Sequence, residues 1–466
     1  MGATHALDHL SALWTEARLP ADALDDIFLT GRDPVLPSSF AIGCAAQVTI
    51  AASALAAATL WRLRGGMRQR VSVDMRHAAV EFLSEHLVSV VGTLPEDPWD
   101  RIAGAYVCGD GRYVRLHTNF PHHRDGMLRL LGCAYDRDAV AAALLGWTAF
   151  DLEDAVAEAG LCATAMRSFA EWDAHPQGRA VPTVPVVNIT RIGDAPPRTL
   201  PPSDRPLSGI RVLDLTRVIA GPVAGRTLAA HGADVLAIAS PNLPNLPRLV
   251  TDTGRGKLTA DLDLREASGK DTLRRLLRDA HVFVQGYRPG GVSGLGFSPR
   301  DTARIRPGIV HVSLSAYGSA GPWSGRRGFD SLVQTASGFN HAEATAAGQT
   351  APKPLPAQAL DHGSGYLLAF GALTALHRQA TEGGSWHVQV SLARTGRWIR
   401  DLGRVADGFA AKVPAGADIA AFIEETESGF GRLRAVRHAA VLGRTPARWT
   451  RPSMPLGSHP AAWPGH

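Results

Sequence analysis

The chain has 466 residues, of which 45% are hydrophobic and 20% charged, and its formal net charge is +5 at pH 7. This length predicts two or three domains, and this composition excludes a small disulfide scaffold, a collagen-like fibre and a disordered protein. The basic excess contains no dense run of arginine or lysine. We therefore expect an anionic small molecule, and not a nucleic acid, as the partner.

The four cysteines stand at Cys44, Cys108, Cys133 and Cys162. They form no CxxC pair, so we interpret them as free thiols in a reducing cytoplasm. The histidines form no HExxH pattern, and we expect no metal site. The N-terminus has no basic segment of the kind that begins a signal peptide.

Residues 1–97 are predicted to form a helical N-terminal segment with part of a larger fold. Residues 1–36 and 77–91 are predicted to be helical, and 70–75 reads as an alternating strand. Residues 41–63 are long enough to span a membrane but consist mostly of Ala, Ser and Thr. We interpret them as a buried helix that packs through small side chains, and expect no membrane.

Residues 98–191 are predicted to form a small α+β domain. Residues 105–117 form two strands around a Gly-Asp-Gly turn, which is typical of a hairpin. Helices are predicted at 124–131, 138–145, 152–159 and 163–172, and a strand at 183–188. A proline-rich linker is expected at 192–206, where five of fifteen residues are proline.

Residues 207–400 are predicted to form a large α/β domain, and 401–466 a C-terminal extension. Strands and helices alternate, which favours a Rossmann-like parallel sheet with helical crossovers. The predicted strands are 210–215, 233–238, 282–284, 309–314 and 386–392, and the predicted helices are 221–231, 267–278 and 363–380. We expect residues 37–96 to complete this domain.

A weak internal repeat links the two ends of the chain. A small-residue helix, Gly-Gly, a strand and a helix occur at 41–91, and the same order recurs at 357–400. An ancient duplication would explain the repeat, but this unit is also common in α/β proteins. In the repeat, Ala45 falls roughly where Asp361 stands.

Two loops follow predicted strands and are candidate ligand sites. Val218, Ile219, Ala220 and Gly221 lie where a strand enters a helix, and small residues there let a ligand approach the helix N-terminus. The sequence is not GxGxxG, and an ordinary strand–helix joint is the alternative. Tyr287-Arg288 follow the strand predicted at 282–284. An arginine at such a strand end can pair with phosphate, and a solvated loop arginine is the alternative.

Asp361 is a candidate nucleophile before an apolar helix. The structural alternative is an N-cap aspartate, which is common at this position. In the functional interpretation, Gly363 and Gly365 leave the flank of the carboxylate open to a bulky electrophile, and backbone N–H groups face a developing oxyanion.

These segments together resemble class III CoA-transferases, the family of formyl-CoA transferase, carnitine CoA-transferase and α-methylacyl-CoA racemase. The resemblance covers 207–400, but the region resembling the family's small domain comes first here, so the chain reads as a rearranged or partly duplicated member. The resemblance is carried, in the family's order, by Leu207–Pro222, His231–Val235, Tyr287–Gly290, Leu295–Phe297, Arg306–Val310, Tyr317-Gly318, Gly328–Asp330 and Asp361.

The resemblance implies an acyl-CoA:carboxylate CoA-transferase that works through an aspartyl intermediate. Asp361 matches the family nucleophile. Val218, Ile219, Ala220, Gly221, Tyr287 and Arg288 match regions that hold coenzyme A. The implied substrates are an acyl-CoA and a free carboxylic acid, with no permanently bound cofactor. The implied assembly is a homodimer, or a monomer in which the first 200 residues mimic the partner.

Three departures keep other functions open. Ala239-Ser240 replace the family's Glu-Arg, and Lys257-Leu258-Thr259 replace Lys-Arg-Ser, which weakens contacts to CoA phosphates. This loss favours a non-catalytic CoA-binding protein. Phe329 stands where the racemase branch carries histidine, and phenylalanine cannot move a proton at the α-carbon, which argues against an acyl-CoA racemase or epimerase.

Overall fold

A computed structural model describes residues 3–93, 99–288 and 290–465 of the chain, with the side chains of 3–5 left aside. Its strands, in chain order, are β1 (Ile27–Thr30), β2 (Val71–Asp74), β3 (Ser89–Val90), β4 (Gly104–Val107), β5 (Tyr113–Leu116), β6 (Ala163–Ala165), β7 (Asn188–Gly193), β8 (Arg211–Leu215), β9 (Asp234–Ala239), β10 (Lys257–Asp261), β11 (Val282–Gln285), β12 (Val310–Ser315), β13 (Ser385–Ser391), β14 (Ile423–Thr426), β15 (Leu433–Val436) and β16 (Ala440–Leu442).

The α-helices of the described residues lie between residues 3 and 401. They are α1 (Ala3–Glu16), α2 (Ile42–Leu63), α3 (Met75–Glu81), α4 (Ser84–Leu87), α5 (Pro121–Leu131), α6 (Arg137–Leu144), α7 (Ala149–Glu158), α8 (Phe169–Ala174), α9 (Pro176–Ala180), α10 (Ala220–Ala230), α11 (Pro247–Thr253), α12 (Ala267–Arg278), α13 (Pro299–Ile305), α14 (Asp330–Ala336), α15 (Phe339–Ala346), α16 (Ala359–Glu382) and α17 (Leu392–Asp401).

The largest sheet has the order β10-β9-β8-β11-β12-β13-β7. Its first six strands run parallel, and β7 pairs antiparallel with β13 at the edge. Strands β8 and β11 are almost entirely buried and mostly apolar, as is typical of strands covered on both faces. The six parallel strands have the doubly wound order of a Rossmann-like fold, so the predicted α/β class is confirmed.

The helix α2 lies in the core of the protein and packs along α16. It has the length and hydropathy of a membrane span, but its most apolar 18-residue stretch is entirely buried. Small side chains let the two helices approach closely, and α16 in turn packs against α10, which follows β8. The prediction of a buried helix at 41–63 is confirmed, and this packing fixes where α16 begins.

Three smaller sheets surround the large one. One is formed by β4, β5 and β6, and with helices α5–α7 it encloses a separate hydrophobic core. The other two have the orders β1-β2-β16 and β14-β15-β3, so strands of the last 44 residues pair with strands of the first 90. The C-terminal segment thus folds back on the N-terminal one.

Several predicted elements differ from the structure. The helix predicted at 163–172 is wrong, because β6 pairs with the edge of β5 and a helix begins only after Ser168, whose side chain forms a capping box with Glu171. The strand predicted at 183–188 is also wrong, since pairing with β13 selects 188–193 instead. That strand crosses the expected boundary at 191 and enters the expected linker.

The N-terminal predictions need two further corrections. The helix predicted at 77–91 is divided into α3, α4 and the short strand β3. Within 1–36, the structure adds strand β1 after α1 and a 3-10 turn. The predicted domain boundary at 97/98 lies outside the described residues.

Candidate active site

The first turn of α16 is capped from outside the helix. Its N-cap residue Gln358 makes no side-chain cap bond. Instead, the Oδ2 of Asp330 accepts hydrogen bonds from the backbone N–H groups of Leu360 and Asp361, at 2.8 and 2.9 Å. Asp361 is therefore the third residue of the helix, and the expectation that it precedes or caps the helix is wrong. The capping carboxylate belongs to Asp330.

Asp361 lies in a cluster of buried carboxylates. Asp361 itself is only 6% exposed to solvent. Burial, the charge of Asp330 and then that of Glu85 raise the pKa of Asp361 well above the ordinary aspartate value. Burial also raises the pKa of Asp330 to about 6. Two neighbouring negative charges repel each other, so ionisation of Asp361 beside Asp330 costs electrostatic free energy.

Glu85 comes from α4, in the N-terminal segment. Its Oε2 lies 2.7 Å from the Nε2 of His362, the residue after Asp361. Burial would raise the pKa of Glu85, but the neighbouring His362 lowers it overall. The N-terminal segment therefore contributes directly to the surroundings of Asp361.

An open cleft of about 760 Å³ leads to Asp361. Val218, Ala220, Tyr287 and Arg288, all predicted ligand contacts, line this cleft together with Asp361. Ile219 instead lines a smaller neighbouring cavity, of about 150 Å³, which Val218 and Asp361 also line. Gly221 is a packing residue, since a Cβ there would lie 2.3 Å from the Cβ of Thr216.

The strand order explains why these loops meet. The Val218 loop follows β8 and Tyr287 follows β11, and these two strands are parallel neighbours at the point where the strand order reverses. Open α/β sheets bind ligands in the crevice at this switch point. Val218 has a φ of 72°, which a β-branched residue rarely adopts. Such strain concentrates at functional sites and costs about 1–3 kcal/mol.

Four arginines line the cleft, and they are Arg217, Arg288, Arg326 and Arg327. Arg217 stacks on Phe120 at 4.9 Å and donates to the carbonyl of Pro244. Arg326 pairs with Asp154 at 2.5 Å. Arg288 is exposed and forms no ion pair with the described residues, which do not include its neighbour at 289. Asp361 is the only carboxylate among the described lining residues, so the cleft is suited to an anion.

Lys257 serves the fold rather than the cleft. It is fully buried, and its Nζ lies 2.8 Å from both Asp214 Oδ2 and the carbonyl oxygen of Pro222. Lys257, Ala239 and Ser240 line a separate pocket of about 70 Å³ beside Arg217. Apart from Arg217, which lines both spaces, the arginines of the open cleft do not line this pocket.

The glycines after Asp361 are packing residues. A Cβ on Gly365 would lie 2.7 Å from the carbonyl oxygen of Ala220, and one on Gly363 would lie 3.1 Å from Thr395. The expectation that they leave the carboxylate's flank open is wrong. Access to Asp361 is instead past Val218 and Leu392, which line the cleft with it.

The small sheet's region supplies a wall that the sequence did not indicate. Phe120, His122 and His123 line the cleft together with Val218. Phe329 stacks on His117 with ring centroids 3.7 Å apart and planes within 5°. Burial lowers the pKa of His117 to about 3, so this imidazole is neutral. The phenylalanine and histidines at 120–123 were the available signal in the sequence for this wall. They are far from Asp361 along the chain, so sequence reasoning did not connect them with the site.

The comparison with known proteins gives the class of this fold and site. Residues 207–423 match the model of CoA-transferase family III. An acyl-CoA transferase of Gibberella moniliformis is 27% identical over 428 residues, covering 81% of this chain and 74% of the relative. An acetyl-coenzyme A transferase of Hypoxylon pulicicidum is 36% identical, covering 43% of this chain and 34% of the relative.

Other relatives match shorter regions. The formyl-CoA:oxalate CoA-transferase of Escherichia coli O6:H1 is 30% identical, over 38% of this chain and 45% of its own length. A Mycobacterium tuberculosis protein of known crystal structure shares 32% sequence identity with this chain. The alignment covers 42% of this chain and 57% of that chain, and the TM-score between the two structures is 0.39. The chain spans half or less of the length of most of these curated relatives. This match and these relatives class the protein as a transferase enzyme, similar to CoA-transferase family III over residues 207–423.

Proposed function

We propose that the chain transfers coenzyme A from an acyl-CoA to a free carboxylic acid, with Asp361 as the covalent nucleophile. The observation that carries this proposal is a buried carboxylate in the wall of a cleft that four arginines also line. The arginines suit the phosphates of coenzyme A, and the cleft leads its thiol end towards Asp361. Coenzyme A is then a substrate and not a resident cofactor.

The surroundings of Asp361 support nucleophilic attack. A carboxylate is a weak nucleophile in water, and burial removes the hydration that weakens it. The neighbouring Asp330 opposes ionisation of Asp361, so the ionised form gains from spreading its charge into the transition state. The backbone N–H of Asp361 is already bonded to Asp330, so oxyanion donors come from elsewhere in the cleft.

In the proposed reaction, an oxygen of Asp361 attacks the thioester carbon, the C–S bond breaks and CoA thiolate leaves. The product is a mixed anhydride between the acyl group and Asp361. The thiolate then attacks the side-chain carbon of Asp361, which releases the donor acid and leaves an aspartyl-CoA thioester. The acceptor carboxylate attacks that carbon, and the two steps run in reverse. No bond requires ATP, because one thioester replaces another.

The test is the variant Asp361→Asn. We expect CoA exchange between an acyl-CoA and a free acid to fall at least about a thousandfold, as removal of a covalent nucleophile does. The matched control is Asp301→Asn, because Asp301 is the third residue of α13 as Asp361 is of α16, but lies outside the cleft. We expect that variant to keep wild-type turnover.

Trapping with hydroxylamine identifies the intermediate. Wild-type protein incubated with acyl-CoA and hydroxylamine should gain a hydroxamate on the peptide that contains Asp361. Wild-type turnover in Asp361→Asn, or a hydroxamate on another peptide, would contradict the proposal. Exchange of the substrate's α-proton in heavy water would favour a racemase, and binding of acyl-CoA without either reaction would favour the binding protein.

We further propose that one chain completes the site, as a compact monomer or within a homodimer. Glu85, from the N-terminal segment, lies beside His362 in the same chain. The strands near the two ends of the chain also pair with each other. Light scattering tests this proposal, and a tetramer or larger assembly would contradict it.

We also propose that the protein resides in a reducing compartment, the cytoplasm. The four free cysteines support this proposal.

A further inference from the structure

A second cavity adjoins the open cleft at Asp361. It has a volume of about 150 Å³ and shares Val218, Phe329 and Asp361 with the cleft. The apolar part of its remaining wall includes Ile219 and Leu249. An acyl group bonded to Asp361 would therefore be next to this cavity as well as to the cleft.

The charges around the cavity are predominantly negative. Asp361, Asp330 and Glu85 all line it. The nearby cation Arg248 donates to the backbone carbonyls of Glu85 and His86, so its guanidinium is already engaged. An acyl group with a second carboxylate would meet three buried acids here and would lose its hydration without an available partner.

The histidines of the cavity supply little positive charge to such a carboxylate. His117 is kept neutral by burial, which lowers its pKa to about 3, and its Nδ1 has no hydrogen-bond partner. His86, at the more exposed side, lies 3.4 Å from Glu85. The buried Oγ of Ser331 also lacks a partner. The cavity thus combines aromatic and aliphatic walls with three acids and with neutral polar atoms.

We propose that this cavity is the acyl pocket, and that it selects monocarboxylic acids with a side chain of up to about six carbons, since a cavity of about 150 Å³ is of the size that accommodates benzene. The inference rests on the proposed function, because it takes Asp361 as the point of acyl transfer. Dicarboxylates and long-chain fatty acids are the substrate classes that it excludes.

The test measures binding, so that it does not depend on turnover. S-alkyl-CoA thioethers have no carbonyl that Asp361 could attack, and they keep the coenzyme A portion constant. Calorimetric titration of the wild-type protein compares S-(3-methylbutyl)-CoA with S-methyl-CoA, S-(4-carboxybutyl)-CoA and S-hexadecyl-CoA. We expect the 3-methylbutyl thioether to bind at least about tenfold more tightly than each of the others.

The variant Ser331→Leu places the preference in this cavity. Ser331 lines it and is absent from the lining of the open cleft. The added carbons should remove the preference for 3-methylbutyl over methyl and leave the affinity for S-methyl-CoA within about threefold. The surface variant Ser458→Leu, which makes the same chemical change at an exposed position, should retain the wild-type preference.

The outcomes separate this inference from the proposed function. Equal or tighter binding of the carboxylate or hexadecyl thioether overturns the acyl pocket, even if CoA exchange is observed. An unchanged preference in folded Ser331→Leu also overturns it. If Ser331→Leu does not fold, the wild-type titrations alone decide the substrate class. The expected preference without any CoA exchange would retain the pocket and overturn the transferase.

Discussion

The N-termini of α2 and α16 share one capping arrangement but differ in chemistry. In α16, Asp330 accepts hydrogen bonds from the N–H groups of the second and third helical residues, Leu360 and Asp361. In α2, Asp33 accepts from the second and third residues, Gly43 and Cys44, at 3.2 and 2.9 Å. The residues before the two helices also have nearly equal backbone angles.

The sequences before the capping residues also agree. Asp330 ends the triplet Gly328-Phe329-Asp330, and Asp33 ends the triplet 31–33, Gly-Arg-Asp. The structural equivalent of Asp361 is therefore Cys44 and not the neighbouring Ala45. This agreement supports the hypothesis that the two regions arose by duplication.

The third helical residue is the main difference between the two ends. Burial and the charge of Asp33 raise the pKa of the Cys44 thiol to about 12, so it is neutral and a poor nucleophile. Cys44 belongs to the main hydrophobic core, whereas Asp361 lines the cleft. A shared capping arrangement thus positions a residue, while the residue's chemistry and the adjoining space determine whether it can react.

The largest predicted effect comes from making the α16 end resemble the α2 end. In Asp361→Cys, we expect CoA exchange to fall at least about a thousandfold. A cysteine can accept an acyl group, but it has no side-chain carbonyl carbon to which coenzyme A could be joined. Exchange of labelled coenzyme A between an acyl-CoA and a free acid measures this loss. Retained exchange would contradict the comparison.

The reciprocal variant, Cys44→Asp, is the control. It places a second carboxylate beside Asp33 in the core, and we expect a loss of about 2–5 kcal/mol in the free energy of unfolding. If it folds, the hydroxylamine-trapped adduct should remain at one per chain, on Asp361. A second adduct, on the peptide that contains position 44, would show that the helix end alone creates the site.

The sequence predicted the parts of this arrangement that depend on local pattern. The parallel sheet follows from apolar strands that alternate with helices, and the Val218 and Tyr287 loops follow from strand ends. The cap of α16 could not be predicted in this way, because Asp330 is 31 residues away from the N–H that it binds. Glu85 was missed for the same reason: a contact 277 residues apart brings it to His362.

A second prediction concerns the cleft that only the α16 end adjoins. In Arg288→Ala, we expect the KM for acyl-CoA to rise about 10- to 150-fold, the equivalent of about 1.5–3 kcal/mol for one charge-assisted hydrogen bond. The control is Arg304→Ala, an exposed arginine on α13 paired only with Asp301 among the described residues. Steady-state kinetics measure both. An equal KM in the two variants would remove Arg288 from the site.

A third prediction separates the two capping aspartates. Asparagine caps a helix about as well as aspartate, so Asp330→Asn and Asp33→Asn should both fold. Only the first removes a negative charge beside Asp361, which lowers the pKa of Asp361. The acid limb of kcat/KM should therefore move to lower pH, with a several-fold higher relative rate on that limb. The same displacement in Asp33→Asn would contradict the assignment.

The smallest predicted effect is on stability, and its sign follows from the pKa of Asp361. Folding raises this pKa above the unfolded value of 3.8, so the folded state binds the proton more tightly. The carboxyl group therefore destabilises the fold increasingly as pH rises above about 4. Asp361→Asn removes this cost and should unfold at a higher temperature than wild type at pH 7.5, by the equivalent of about 1–3 kcal/mol, but not at pH 4.

The control is the matched change in α2, Cys44→Ser. It should show no such pH dependence between pH 4 and 7.5, because the thiol is neutral throughout. Thermal melts of the three proteins at both pH values measure this difference. A pH-independent effect of Asp361→Asn would mean that Asp361 does not carry the buried charge that distinguishes the α16 end.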